Sequence, residues 1–172
     1  MSAIISSCGA YRYRLERECS TGMGNGVFAY FGINPSTADA SIDDATVRKW
    51  RGFTAINGGH RFVVGNVFAY RATDVRDLAN LSPAEAVGAD NHKHILAIIA
   101  DADVLVPCWG NSSKVPRTHR PAVAAMLEIL RESGKQIRHF GLTASGDPKH
   151  PLMLAYSTRL TALADVAIGG NP

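Results

Sequence analysis

Four apolar runs, each emptying into a polar loop, constrain this chain more than any other feature. Phe28-Ala29-Tyr30-Phe31-Gly32 opens into Ile33-Asn34-Pro35-Ser36-Thr37-Ala38-Asp39. Residues 61–70 run into Arg71-Ala72-Thr73-Asp74, and residues 103–108 run into Trp109-Gly110-Asn111-Ser112-Ser113-Lys114. Residues 136–141 lead to Asp147-Pro148-Lys149-His150-Pro151. Helical patterns separate these runs. Asp43 or Asp44 is a candidate N-cap for a helix burying Val47, Trp50, Phe53, Thr54 and Ile56. Ser82-Pro83-Ala84-Glu85 has the form of a capping box with proline at the first helical position. Asp90-Asn91-His92-Lys93-His94 leads into a helix with Ile95, Leu96, Ile98 and Ile99 inward. Further helices are expected over about 116–132, stopped by Gly134, and over roughly 153–163.

Strand and helix in alternation predict an α/β fold with three layers, α/β/α. Its central, mainly parallel sheet has four strands. One extra N-terminal strand is expected from Ala10-Tyr11-Arg12-Tyr13-Arg14-Leu15, which alternates aromatic and basic residues. Parallel strands deliver their C-terminal loops to one sheet edge, where open α/β sheets bind ligands. The whole span 1–172 is read as a single domain, long enough for a real core.

Hydrophobic residues are 46% and charged residues 19% of the chain, which excludes a disordered composition. The longest apolar runs, 95–100 and 104–108, fall far short of the ~20 residues of a membrane span. The first residues lack the basic region and apolar length of a signal peptide, so a cytoplasmic location is expected. Cys8, Cys19 and Cys108 are scattered and offer no Cys-x-x-Cys pair, so neither a four-thiolate zinc site nor an iron–sulfur site can be assembled from them. A net charge of +3 is compatible with a polyanionic partner. The Arg12 strip suits either phosphate contact or an edge strand whose arginines discourage pairing.

The loops also carry a resemblance. Gly32-Ile33-Asn34-Pro35 resembles the first active-site motif of the mismatch-specific branch of the uracil-DNA glycosylase superfamily. Val63-Val64-Gly65-Asn66-Val67 resembles that superfamily's strand ending in a pyrimidine-reading asparagine. The run from Val104 to the Trp109-Gly110 pair is similar to its third strand, and His150-Pro151-Leu152 is similar to its His-Pro loop. A closer likeness is to an uncharacterised bacterial and phage family of unknown function. It is carried by Cys8-Gly9-Ala10-Tyr11-Arg12-Tyr13, Asn34-Pro35-Ser36-Thr37-Ala38-Asp39, residues 66–73, Trp109-Gly110 and His150-Pro151-Leu152.

The glycosylase resemblance implies an enzyme hydrolysing the N-glycosidic bond of a uracil-like or modified pyrimidine, in DNA or in a nucleotide. No metal or cofactor is expected, and the protein is expected to act as a monomer off the membrane. Such chemistry needs a placed water, donors for the departing base and a surface that holds the extruded ring. The resemblance implies that Asn34 holds the water, that Asn66 donates to and accepts from the base edge, and that His150 donates to a base oxygen or faces a phosphate. Asp39 is either the general base or a cap. Phe68, Tyr70, Tyr11 and Trp109 are candidate stacking residues for the base. Arg12, Ser36, Thr37, Arg71, Lys149 and Leu152 are candidate contacts to the nucleic acid. Leu152 stands where the glycosylase motif carries a serine; it is either a wedge or core, and its presence favours a single strand, a free nucleotide or an unusual base. Two other readings stay open: a metal-dependent phosphohydrolase or nuclease using Asp39, Asp43 and Asp44, and a binder without turnover.

Overall fold

The computed structural model describes residues 1–19, 24–36, 38 and 42–163. In chain order the elements are β1 (Ser2–Ile5), β2 (Arg12–Glu18), β3 (Gly26–Gly32), α1 (Ala45–Ile56), β4 (Gly59–Asn66), α2 (Pro83–Val87), α3 (Asn91–Asp101), β5 (Val104–Pro107), α4 (Arg120–Glu132), β6 (Gln136–His139) and β7 (Thr161–Ala162). Short 3-10 turns at Ser112–Lys114 and Pro151–Met153 follow β5 and β6.

The strands form a mixed sheet in the order β1-β2-β4-β3-β5-β6-β7. Its four central strands are mutually parallel, as the alternation of strand and helix requires. The flanks differ from expectation. Two N-terminal strands are present rather than one, and β2 lies between β1 and β4, antiparallel to both. The arginines of β2 therefore do not guard an edge. The two-residue period also breaks there: Ile4 pairs with Arg14 and Ile5 with Arg12, so Tyr13 is an extra, bulged residue. A bulge reverses which side chains face which layer. Tyr13 consequently stacks on His94 of α3 at 4.8 Å, while Arg12 reaches Ala38, which packs with Leu15 and Trp50 on the opposite face.

Alternation along β3, β4 and β5 divides the core in two. Val27, Ala29, Phe31, Val63 and Leu105 pack with α3 and α4. Phe28, Tyr30, Phe62, Val64 and Val106 pack with α1. Each such buried side chain contributes roughly 1.5–3 kcal/mol by leaving water. Asp44 caps α1, accepting the Val47 N–H at 2.8 Å, and the Ser82–Glu85 capping box starts α2. Leu96 is exposed rather than inward, and α4 begins at Arg120, later than expected.

The last expected helix does not form. A 3-10 turn at Pro151–Met153 and the short β7 replace it. Tyr156 packs on Phe53 at 5.1 Å, the Lys49 ammonium donates to the Leu154 carbonyl, and Leu163 N–H donates to Ile137. The segment draws its partners from α1 and β6 together, and these outweigh its helical propensity. Among the described residues no helix is long and apolar enough to cross a membrane.

Candidate functional site

Strands β3, β4, β5 and β6 end at the same sheet edge, and a cavity of about 440 Å³ lies there. The end of β3 contributes Gly32, Ile33, Asn34 and Ser36; the end of β4 contributes Asn66; the loop after β5 contributes Trp109, Gly110, Asn111 and Lys114. His150 and Leu152 enter from beyond β6, Arg12 from β2, and Asp44, Thr46 and Trp50 from the start of α1.

The orientation of both amides follows from their partners. Asn34 lies against the carbonyls of Ala72 (2.7 Å) and Pro35 (3.2 Å), which only accept, so its Nδ2 faces them. Asn34 lines the cavity, and its Oδ1 is the acceptor that this orientation keeps available. Asn66 has the opposite polarity. The Arg12 guanidinium only donates, and it approaches Asn66 Oδ1 at 3.3 Å. Asn66 Nδ2 lies over Gly32, 2.9 Å from where a Cβ would stand, so the glycine makes room for this amide. Arg12 thus takes one lone pair of the Asn66 oxygen, and Asn66, which lines the cavity, keeps its N–H donors and a second acceptor site. Arg12 itself is 3% exposed and also donates to Ala38 O at 2.7 Å.

His150 caps the 3-10 turn at Pro151, its Nδ1 accepting the Leu152 N–H at 3.3 Å. The neutral ring then carries its proton on Nε2. Burial holds its pKa below the ordinary histidine value. The Asp44 carboxylate opposes that shift, and the Lys114 ammonium adds to it.

The Trp109-Gly110 and His150 loops are tied together. Gly110 N–H donates to Pro148 O at 2.8 Å, and Asp147 accepts from Ser112 N–H and from the Ser112 and Ser145 hydroxyls. Gly110 has φ +75°, and a Cβ on it would lie 3.2 Å from His150 Cβ. Trp109, from the α3–α4 side, and Trp50, stacked on Tyr30 at 5.6 Å on the α1 side, supply the aromatic walls.

Seven of the expected site residues line this cavity: Arg12, Asn34, Ser36, Asn66, Trp109, His150 and Leu152. Five do not. Phe68 is fully buried, edge-on to His119, because the chain turns under α3 after β4. Tyr70 and Tyr11 pack against each other at 5.6 Å, and neither lines the cavity. Arg71 donates to Gly9 O, and Lys149 lies beside Gly141. Thr37 and Asp39 lie outside the described residues. Trp50, Thr46 and Lys114 were not singled out as site residues. In the sequence Trp50 reads as part of the apolar face of α1, and only the direction in which α1 meets the sheet edge brings it to the cavity.

The acidic cluster considered for a metal is taken up otherwise. Asp43 accepts from Arg17 at 2.6 Å and Arg51 at 2.7 Å, and Asp44 caps α1. Among the described residues no group of three or more His, Cys, Asp or Glu side chains is placed to hold a metal.

A family model described as a protein of unknown function, DUF1643, matches residues 12–152. The match covers most of the chain, and its two end residues, Arg12 and Leu152, both line the cavity. No curated protein and no solved structure matches the chain.

Proposed function

We propose that this chain, which belongs to the DUF1643 family, is a nucleobase N-glycosidase acting on an oxo-pyrimidine in DNA or in a nucleotide. The observation that carries the reading is the opposed polarity of the two amides around one cavity. Asn34 offers an acceptor and Asn66 offers donors. Hydrolysis of a glycosidic bond asks for both: an acceptor to hold the attacking water, and donors for a base that gains negative charge as it leaves. The volume is in the range of small-ligand sites and suits a nucleotide. The motif resemblance to the uracil-DNA glycosylase superfamily and the helix-flanked, partly parallel sheet support the same reading.

In this mechanism Asn34 Oδ1 accepts one hydrogen of a water aimed at the anomeric carbon. An amide does not take the proton away at neutral pH, so Asp39 is the candidate base. The water oxygen bonds to that carbon, and the electrons of the broken C–N bond leave with the base. Asn66 Nδ2 and the Nε2–H of neutral His150 donate to base oxygens. Trp109 and Trp50 supply the apolar walls that exclude water. The reading includes a cytoplasmic monomer that works without a metal. A phosphohydrolase built on the acidic cluster would lose Asp43, whose carboxylate is held by two arginines.

The test is base release. Oligonucleotides carrying uracil, mismatched thymine or hydroxymethylated pyrimidines are incubated with the protein and abasic sites are read by alkaline cleavage. Release of at least one base is expected, falling about 100-fold in Asn34→Ala. Folded protein that releases nothing from the whole panel overturns the proposal.

A further inference from the structure

Beyond the first cavity lies a second, of about 370 Å³, lined by Asp74, Val75, Arg76 and Lys114. Val75 and Lys114 line both cavities, so the two form one trough with Lys114 at the junction. The loop that carries this lysine is fixed from several sides. Asp147 accepts from Ser112, Asn111 Oδ1 accepts the Ser113 N–H at 2.8 Å, and Arg120 donates to Ser113 O at 2.9 Å and Val115 O at 3.1 Å. Val115, the next residue, is buried. The backbone that carries Lys114 is thereby fixed, and its exposed side chain lines both cavities. Among the described residues no carboxylate pairs with it. In the second cavity Asp74 is already engaged by Arg76 in a two-pronged contact.

We propose that Lys114 binds the phosphodiester joining the target nucleotide to its neighbour, and that the second cavity holds this neighbouring nucleotide. The substrate is then a strand rather than a free nucleoside or nucleotide. A cation at the junction of two nucleotide-sized spaces meets the one charged group that recurs between successive nucleotides. This rests on the glycosidase reading only for the place of the base in the first cavity.

Binding tests it without asking for turnover. Fluorescence anisotropy with a fluorescein-labelled thymidine dodecamer is measured across a salt series for wild type, Lys114→Ala and Lys114→Arg. Removal of one phosphate contact is expected to weaken binding roughly 5-fold at about 0.1 M salt and to lower the salt slope by about 0.7. Lys114→Arg is expected to retain both. Thymidine monophosphate is expected to compete far less well than an unlabelled dodecamer. The proposal is overturned if wild type does not bind the dodecamer, if Lys114→Ala keeps the wild-type affinity and slope, or if the monophosphate competes equally. Lys114-dependent strand binding without base release would leave this inference standing and remove the glycosidase reading. Base release with unchanged binding in Lys114→Ala would do the reverse.

Discussion

At single positions the site depends on a few local necessities. Gly110 combines two of them, a left-handed backbone at φ +75° and a close approach to His150. Gly110→Ala should cost about 1–2 kcal/mol for the backbone alone. It should also push His150 away from Asn66. Urea unfolding checks the first effect and base release the second; a variant as stable as wild type would show that the turn relaxes freely. Arg12 is the positioning residue for Asn66. Arg12→Gln offers the amide an acceptor as well as a donor, so the Asn66 orientation should no longer be fixed. The expected outcome is reduced preference between oxo and amino bases in a competition assay, with folding kept. Such residues differ in how readable they are from sequence. Asn34, Asn66 and Trp109 each end a strand or follow one closely, so alternation brings them to one edge, whereas His150 lies well beyond β6 and reaches it on a loop tied to Gly110 through Pro148. The division of labour between the amides was not readable, because it depends on Arg12 and Ala72, which are far from them in the chain.

Among elements, the parallel strands and their helices were legible because amphipathic spacing and caps agree locally with the final packing. Asp44 before Val47 and Ser82 before Glu85 are such cases. The flanks were not legible. The Tyr13 bulge converts an apparently regular strip into one that serves both faces, and residues 153–163 follow α1 and β6 instead of their own propensity. Phe68 and Tyr70 miss the cavity for a related reason: they continue the apolar run beyond Asn66, the end of β4, where Phe68 turns into the core and Tyr70 bridges to Tyr11. Helix α3 packs closely on β4. A Cβ on Gly65 would lie 2.6 Å from Ile95 Cδ1 and 3.1 Å from Ile98 Cδ1. Gly65→Ala should therefore destabilise by about 1–3 kcal/mol through overpacking. Ile95→Val removes the nearest of these atoms, so the double variant should be less destabilised than the two single changes added together. Strict additivity in that cycle would place the cost of Gly65→Ala elsewhere.

The whole molecule is clamped by ion pairs on both faces of the sheet, and these set its response to acid. On one face Arg14 and Arg61 join Glu16 and Asp101, linking β2 and β4 to the end of α3; Arg61 reaches Asp101 at 2.7 Å and Glu16 at 3.0 Å. On the other, Arg17, fully buried, and Arg51 hold Asp43 beside the start of α1. The Arg61 hydrogen bonds outweigh burial and, with Arg14, bring Asp101 down to about 2. For Asp43 and Glu16 burial pushes upward, but the arginine hydrogen bonds prevail and both carboxyls titrate below their usual range. His150 and His94 are also lowered, chiefly by burial. All five groups thus bind protons more weakly folded than unfolded. Their contribution is present above the unfolded pKa and is lost as pH falls through the folded one. Stability should be level near neutrality, fall modestly below about pH 6.5 as the histidines charge, and fall steeply below about pH 4 as the carboxyls protonate. Urea midpoints measured across that range check the two windows. Asp101→Asn should lower the midpoint at neutral pH and flatten the acid limb, because the group that titrates there is gone. A midpoint rising toward pH 3, or an acid limb unchanged in Asp101→Asn, would place the clamp outside the forces that hold the fold. The same titration bears on the site: with His150 neutral at pH 7, base release should hold from neutral pH upward and fall only below about pH 6.5, as its ring becomes charged and Nδ1 can no longer accept from Leu152.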